Sequence, residues 1–184
     1  ISAEYYAIAE AYADLAKYEK ALPYYEKAEK QKEFRDAARY GRARMYAMLG
    51  KWTESREILA DLLAKDPGNE MLETAYAFSL VSSGNAKDSL DIYRKIAEKR
   101  PDDPAVARNL AEVQIIAGLY ADALETIEAI KKKFPGSEVL KDLPGLETKA
   151  TEGLTPGKKE TKKTGAHEKS DAPANGKVKE TKPK

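Results

Sequence analysis

The sequence predicts an all-α protein in which four helical hairpins of 34 residues stack one on another as a solenoid. Three observations carry this. The first is a repeat: landmark residues of the segment 104–135, PAVARNLAEVQIIAGLYADALETIEAIKKKFP, recur upstream at an interval of 34. Small Ala111, turn residue Gly118, aromatic Tyr120, small Ala123, apolar Ile127 and Ile130 and closing Pro135 define the pattern. One step back finds Ala77, Gly84, Ser89, Tyr93, Ile96 and Pro101, and the next finds Ala43, Gly50, Trp52, Ser55, Leu59, Leu62 and Pro67. A third step reaches Ala9, Ala16, Tyr18, Ala21, Tyr25 and Ala28, with Glu33 where the proline would stand. The second is the spacing inside each unit. Leu110, Ala111, Gln114 and Ile115, then Ala123, Leu124, Ile127 and Ile130, fall on one face of a helix each. The third is size: a hairpin of this length cannot bury its apolar faces alone, and stacking neighbours encloses a continuous core.

Each element has a local reason. The first unit, residues 1–34, carries helices near 3–15 and 19–32 and is rich in tyrosine. Tyr5, Tyr12, Tyr18 and Tyr25 fall where the pattern places a large side chain between helices, which leaves Tyr6 and Tyr24 over. Pro23 is placed near the start of the second helix, where its missing N–H costs little. Units 35–68 and 69–102 close with DPGN and RPDDP, turn-forming stretches that mark junctions, and unit 103–136 closes at FPGS. Trp52, the single tryptophan, stands just after Gly50 and is expected to pack on the next helix. The positions of Ala111 and Ala123 are Ala or Ser in every unit, so helices can approach closely at their crossing. Residues 137–150 open as a further unit would, with Ser137 as a cap and an acidic first turn, until Pro144 and Gly145 interrupt it. They are expected to form a short segment covering the end of the stack. From 151 to 184 the chain is Lys-rich and nearly without large apolar residues, and it reads as a disordered tail.

Composition excludes several function classes. With Lys+Arg 32 against Asp+Glu 31, no global field recruits nucleic acid or anionic lipid. No apolar run reaches the roughly 18 residues of a membrane span, so the sequence predicts a soluble chain. With no cysteine there is no disulfide, thiolate site or thiol catalysis, and either a cytoplasmic or a periplasmic, cell-envelope compartment is compatible. A start at Ile1, already in a helical pattern, reads as a processed product or an excised fragment. The single His167 lies in the tail, so no nucleophile and base can be assembled in the ordered part. Zinc spacing and a phosphate loop are absent. No enzyme activity, cofactor or metal is expected. The tail from residue 150 holds nine lysines and five acids but no aromatic to stack on bases, so specific nucleic-acid recognition is not expected either.

In its 34-residue pattern of small, aromatic, small, apolar and proline residues, the chain resembles the tetratricopeptide repeat family over residues 2–135. The family's leading Trp is replaced by Tyr5, Arg39, Glu73 and Ala107. The resemblance implies a right-handed solenoid whose first helices line a concave groove that takes a peptide or helix of a partner protein. The groove positions implied here include Tyr6, Glu10, Tyr40, Arg44, Met71, Phe78, Val81, Arg108, Glu112, Ile115 and Ile116. Tyr6, Tyr40 and Phe78 would present aromatic anchors, and Met71, Val81, Ile115 and Ile116 an apolar strip. Glu10 with Arg44, and Arg108 with Glu112, are placed to pair with each other. Cochaperone members of the family grip a terminal carboxylate with Lys and Asn. This sequence offers Tyr6 with Glu10, or Tyr40 with Arg44, and departs from that clamp. The alternative role is structural: a homo-oligomer formed through the end faces of the stack.

Overall fold

The computed structural model describes residues 2–155, and among them every regular element is helical. Eight helices run in consecutive pairs: α1 (Ser2–Asp14) with α2 (Tyr18–Glu29), α3 (Arg35–Met48) with α4 (Trp52–Lys65), α5 (Glu70–Ser82) with α6 (Ala86–Lys99), and α7 (Pro104–Ile116) with α8 (Tyr120–Lys133). A 3-10 turn at Glu138–Lys141 leads into α9 (Leu143–Leu154). Each helix packs on its neighbours in the chain, and α9 lies against both α7 and α8. The tail from 156 and His167 lie outside the described residues.

The turn inside each hairpin has one geometry. The amides of Lys17, Lys51, Asn85 and Leu119 reach back to the carbonyls of Tyr12, Tyr46, Leu80 and Gln114 at 2.8–2.9 Å, which closes the last turn of the first helix. That closure needs a left-handed residue just before the amide. Gly50, Gly84 and Gly118 supply it with φ of 73°, 85° and 80°, but in the first hairpin Ala16 is held there at φ 54°. After the second, third and fourth hairpins the junctions are closed by side chains: Asn69 accepts from the Leu72 amide, Asp103 from the amides of Ala105 and Val106, and Ser137 from that of Val139, whereas Phe34 ahead of α3 makes no such bond.

The core follows the repeat. The paired small positions are sealed, with Ala9, Ala43, Ala77 and Ala111 on the first helices and Ala21, Ser55, Ser89 and Ala123 on the second all at most 1% exposed. Beside them Tyr25, Leu59, Tyr93 and Ile127 fill the space between hairpins, together with Ala28, Leu62, Ile96 and Ile130. The closest approach is at Gly41, where a Cβ would lie 2.3 Å from the Tyr25 ring. Ser55 and Ser79 satisfy each other across the α4/α5 contact at 3.2 Å.

Several expectations are revised. Of the four tyrosines assigned between helices, only Tyr25 is buried; Tyr5, Tyr12 and Tyr18 are partly covered, and Tyr18 shares that state with its repeat equivalents Trp52 and Tyr120. Tyr6 is not left over: its ring stacks on Phe34 at 5.7 Å and meets Tyr25 edge-on at 5.9 Å. Helix α2 stops at Glu29 instead of running to 32, and it carries Pro23 within it. Pro144 and Gly145 do not interrupt the end segment. They begin α9, where the proline lacks only an N–H that has no helical acceptor, and the helix continues past 150 to Leu154. Leu143, Leu146 and Ala150 bury its inner face, and Gly153 lets the helix lie against the Tyr120 ring.

Two substitutions test this packing. Ala16→Gly removes a left-handed strain of about 1–2 kcal/mol, partly offset by the freer unfolded chain, so urea denaturation should show a gain of about 0.5–1 kcal/mol. A loss would mean that the first turn differs from the other three. Gly41→Ala should lower stability by about 1–3 kcal/mol by pushing the Tyr25 ring aside. An unchanged midpoint would show that ring to be free to move.

Candidate functional site

The first helices bring most of the sequence-derived positions onto one surface, with Ile115 the exception. A concavity of about 910 Å³ is lined from α3, α5 and α7 by Tyr40, Met71, Phe78, Val81, Arg108, Glu112 and Ile116, among others. Smaller depressions of about 390 Å³ and 270 Å³ continue it towards α1, and Tyr40 borders all three. Tyr6 and Arg44 line the first of these and Arg44 and Phe78 the second.

Apolar side chains on this surface are left in water. Met71, Phe78 and Ile116 are 52–53% exposed, and Val81 is half-buried. Phe78 is held by Trp52, whose ring meets it edge-on at 5.7 Å, so the anchor is braced from the α4 side while its other face stays open. Ile115 behaves differently. It packs with Ala111, Ile127 and Leu143 in the core beneath α9, and its neighbour Ile116 takes the groove position. One helical step of about 100° separates the two, and sequence spacing left both as candidates.

The charged residues of the groove form ion pairs with one another, although the Nε of Arg108 is buried without a hydrogen-bond partner. Arg108 donates to Glu112 at 2.8 Å and to Asn109 at 3.2 Å, and Arg100 reaches Glu70 at 2.8 Å and also bonds Asp103. Arg44 pairs with Glu10 at 3.8 Å, and the same carboxylate accepts the Tyr25 hydroxyl. The expected pairs, Glu10 with Arg44 and Arg108 with Glu112, therefore both form. Burial, and then the adjoining Glu10 carboxylate, push the Tyr25 phenol well above its ordinary value and raise that of Tyr6 as well. Tyr93 is raised by burial and by Glu112. Sequence reasoning missed the Tyr25–Glu10 bond, because Tyr25 was assigned wholly to the core and no spacing rule links the two helices.

Among the described residues, no group of three His, Cys, Asp or Glu side chains is placed to hold a metal ion, and no helix is long and apolar enough to cross a membrane.

Family models described as tetratricopeptide repeat match residues 6–70 and 80–143, which together cover more than half of the chain and leave out most of α5. The chain belongs to the tetratricopeptide repeat family. These repeats generally serve as protein–protein interaction modules and are typically non-catalytic. An uncharacterized lipoprotein of Treponema pallidum (strain Nichols) is 26% identical over 156 residues, covering 85% of this chain and 80% of that protein. Among solved structures, YrrB, described as a TPR protein with an unusual peptide-binding site, superposes with a TM-score of 0.60 at 21% identity, covering 82% of this chain and 81% of its own. MamA of Desulfovibrio magneticus RS-1 gives a TM-score of 0.66 at 14% identity, over 83% of this tetratricopeptide chain and 90% of that one. At these identities the two structures attest the fold.

The Tyr25 bond makes a pH prediction. A phenol whose folded value is raised above its unfolded value of 10.0 keeps its full contribution below about pH 10 and loses it as pH rises through the folded value. Melting temperature should therefore fall on going above pH 10. Tyr25→Phe should make that fall shallower, at a cost on the order of 1–2 kcal/mol at neutral pH. Equal slopes for the two proteins would separate Tyr25 from the alkaline transition.

Proposed function

We propose that the chain is a non-enzymatic adaptor whose groove holds an apolar segment of a partner protein, bound as a peptide or as one face of an amphipathic helix. The observation that carries this is the row Met71, Phe78, Val81 and Ile116: half-covered apolar side chains flanked by charges that already satisfy one another. Such a surface loses unfavourable contact with water when an apolar side chain covers it, and it gains little from a charged ligand. Tyr40 and Phe78 act as the rigid anchors and Tyr6 extends the aromatic edge towards α1. The residues Arg44, Glu10, Arg108 and Glu112 shape the walls. A second reading, self-association as a structural building block, is favoured by a different surface, the uncovered outer side of α1.

A displayed random-peptide library selected on the full chain supplies the probe, and calorimetry on the winning peptides supplies the measurement. Recovered sequences should be rich in Leu, Ile, Phe and Met. Met71→Asp combined with Phe78→Ala should weaken them at least about tenfold, with the melting temperature little changed because both side chains are exposed. Raising salt should change affinity little. Peptides that bind the double variant as tightly as the parent would place the binding surface elsewhere.

A further inference from the structure

We propose that the hydroxyl of Tyr93 is a polar subsite in the floor of the groove, which donates a hydrogen bond to a main-chain carbonyl of the bound segment and so selects an extended peptide over a helix. The inference rests on the reading of the groove given above and names the form of its ligand. The starting point is the place of Tyr93 in the repeat. It stands two repeats on from Tyr25, and the other two equivalents, Leu59 and Ile127, carry no polar side-chain atom. Tyr25 runs from the core to the groove wall, where Glu10 of the same hairpin accepts its hydroxyl. Two repeats on from Glu10 stands Phe78, which has nothing to accept with.

Tyr93 is therefore a core residue whose hydroxyl has lost its acceptor. Its ring packs with Ala77, Leu90 and Val113, only 7% of the residue is exposed, and it lines the same concavity as Phe78 and Glu112. The hydroxyl has no hydrogen-bond partner among the described residues. Glu112 stands close enough to raise the phenol but does not bond it, and is held by Arg108 at 2.8 Å. Glu70, also in the lining, is taken by Arg100 at 2.8 Å.

A free donor in that place sets a condition on the ligand. Water serves the hydroxyl while the groove is open, and an apolar segment laid over Phe78 and Ile116 expels that water. Unless the segment brings an acceptor, the hydroxyl is left buried and unsatisfied, and binding is weakened. A helix spends its carbonyls on its own amides, so its apolar face brings none. An extended segment exposes a carbonyl at each residue between side chains that alternate in direction, so a carbonyl can fall on the hydroxyl while neighbouring side chains reach Met71, Phe78 and Ile116.

The probe is the tightest peptide from the library selected on the full chain, synthesised with each amide in turn replaced by an ester, which is a poorer acceptor. Calorimetry compares the parent, Tyr93→Phe and the variant combining Met71→Asp with Phe78→Ala. Tyr93→Phe should weaken the peptide about tenfold, while its melting temperature stays at or above that of the parent because no internal bond is lost. One ester should cost about tenfold against the parent and little against Tyr93→Phe, the coupling expected of a direct contact. If the combined variant loses the peptide and Tyr93→Phe keeps it in full, the contact is overturned and the groove stands. A library that yields no peptide, or a peptide that binds all three proteins alike, would overturn both. Affinity lost in Tyr93→Phe with equal ester costs in the two proteins would assign the acceptor to a peptide side chain and overturn the main-chain contact. A melting temperature lowered by Tyr93→Phe would reveal an internal acceptor and overturn the free donor.

Discussion

Close contact between helices at small side chains is the constraint on which the rest depends. Each hairpin crosses at a pair of Ala or Ser residues with almost no exposed surface, from Ala9 and Ala21 in the first to Ala111 and Ala123 in the fourth. With backbones that close, one large residue per second helix, Tyr25, Leu59, Tyr93 or Ile127, is enough to fill the gap to the next hairpin. At the first junction the fit is so tight that the receiving position holds glycine. A larger residue at a crossing would separate two helices and, through the stack, change the spacing of every groove residue beyond it.

That spacing gives the groove its character. The first helices present their free sides together, and the repeat supplies no side chain to cover them. Charges at the rim find partners across helices or one turn away, which leaves the floor apolar and electrically quiet. Glu10 ties these levels together: it takes the hydroxyl of the core residue Tyr25 and pairs with Arg44 at the groove surface, so the first hairpin's packing and the groove wall share one carboxylate.

The two ends of the stack are unlike for the same physical reason. A hairpin's outer face is made to receive another helix, and wherever it receives none the apolar side chains remain in water. At the far end α9 substitutes for a fifth hairpin with a single helix whose outer side is polar. At the near end no described element lies on the outer side of α1, and Ile8 and Leu15 stay exposed there while Tyr5 and Tyr12 rest on Tyr24 of α2.

The sequence by itself determined the repeat, the helix pairs, the small residues at the crossings and the family, because these depend on local spacing that recurs at 34 residues. It also determined which residues compete for the groove, including Met71, Phe78 and Val81, and that Arg108 and Glu112 lie one turn apart. Only the tertiary structure decided between Ile115 and Ile116, since adjacent residues differ by one helical step and the packing of α9 settles which side is core. The same holds for the Tyr25–Glu10 bond and for Pro144 as the first turn of a helix. Those outcomes depend on what a neighbouring element covers, and a periodic pattern carries no record of its neighbours.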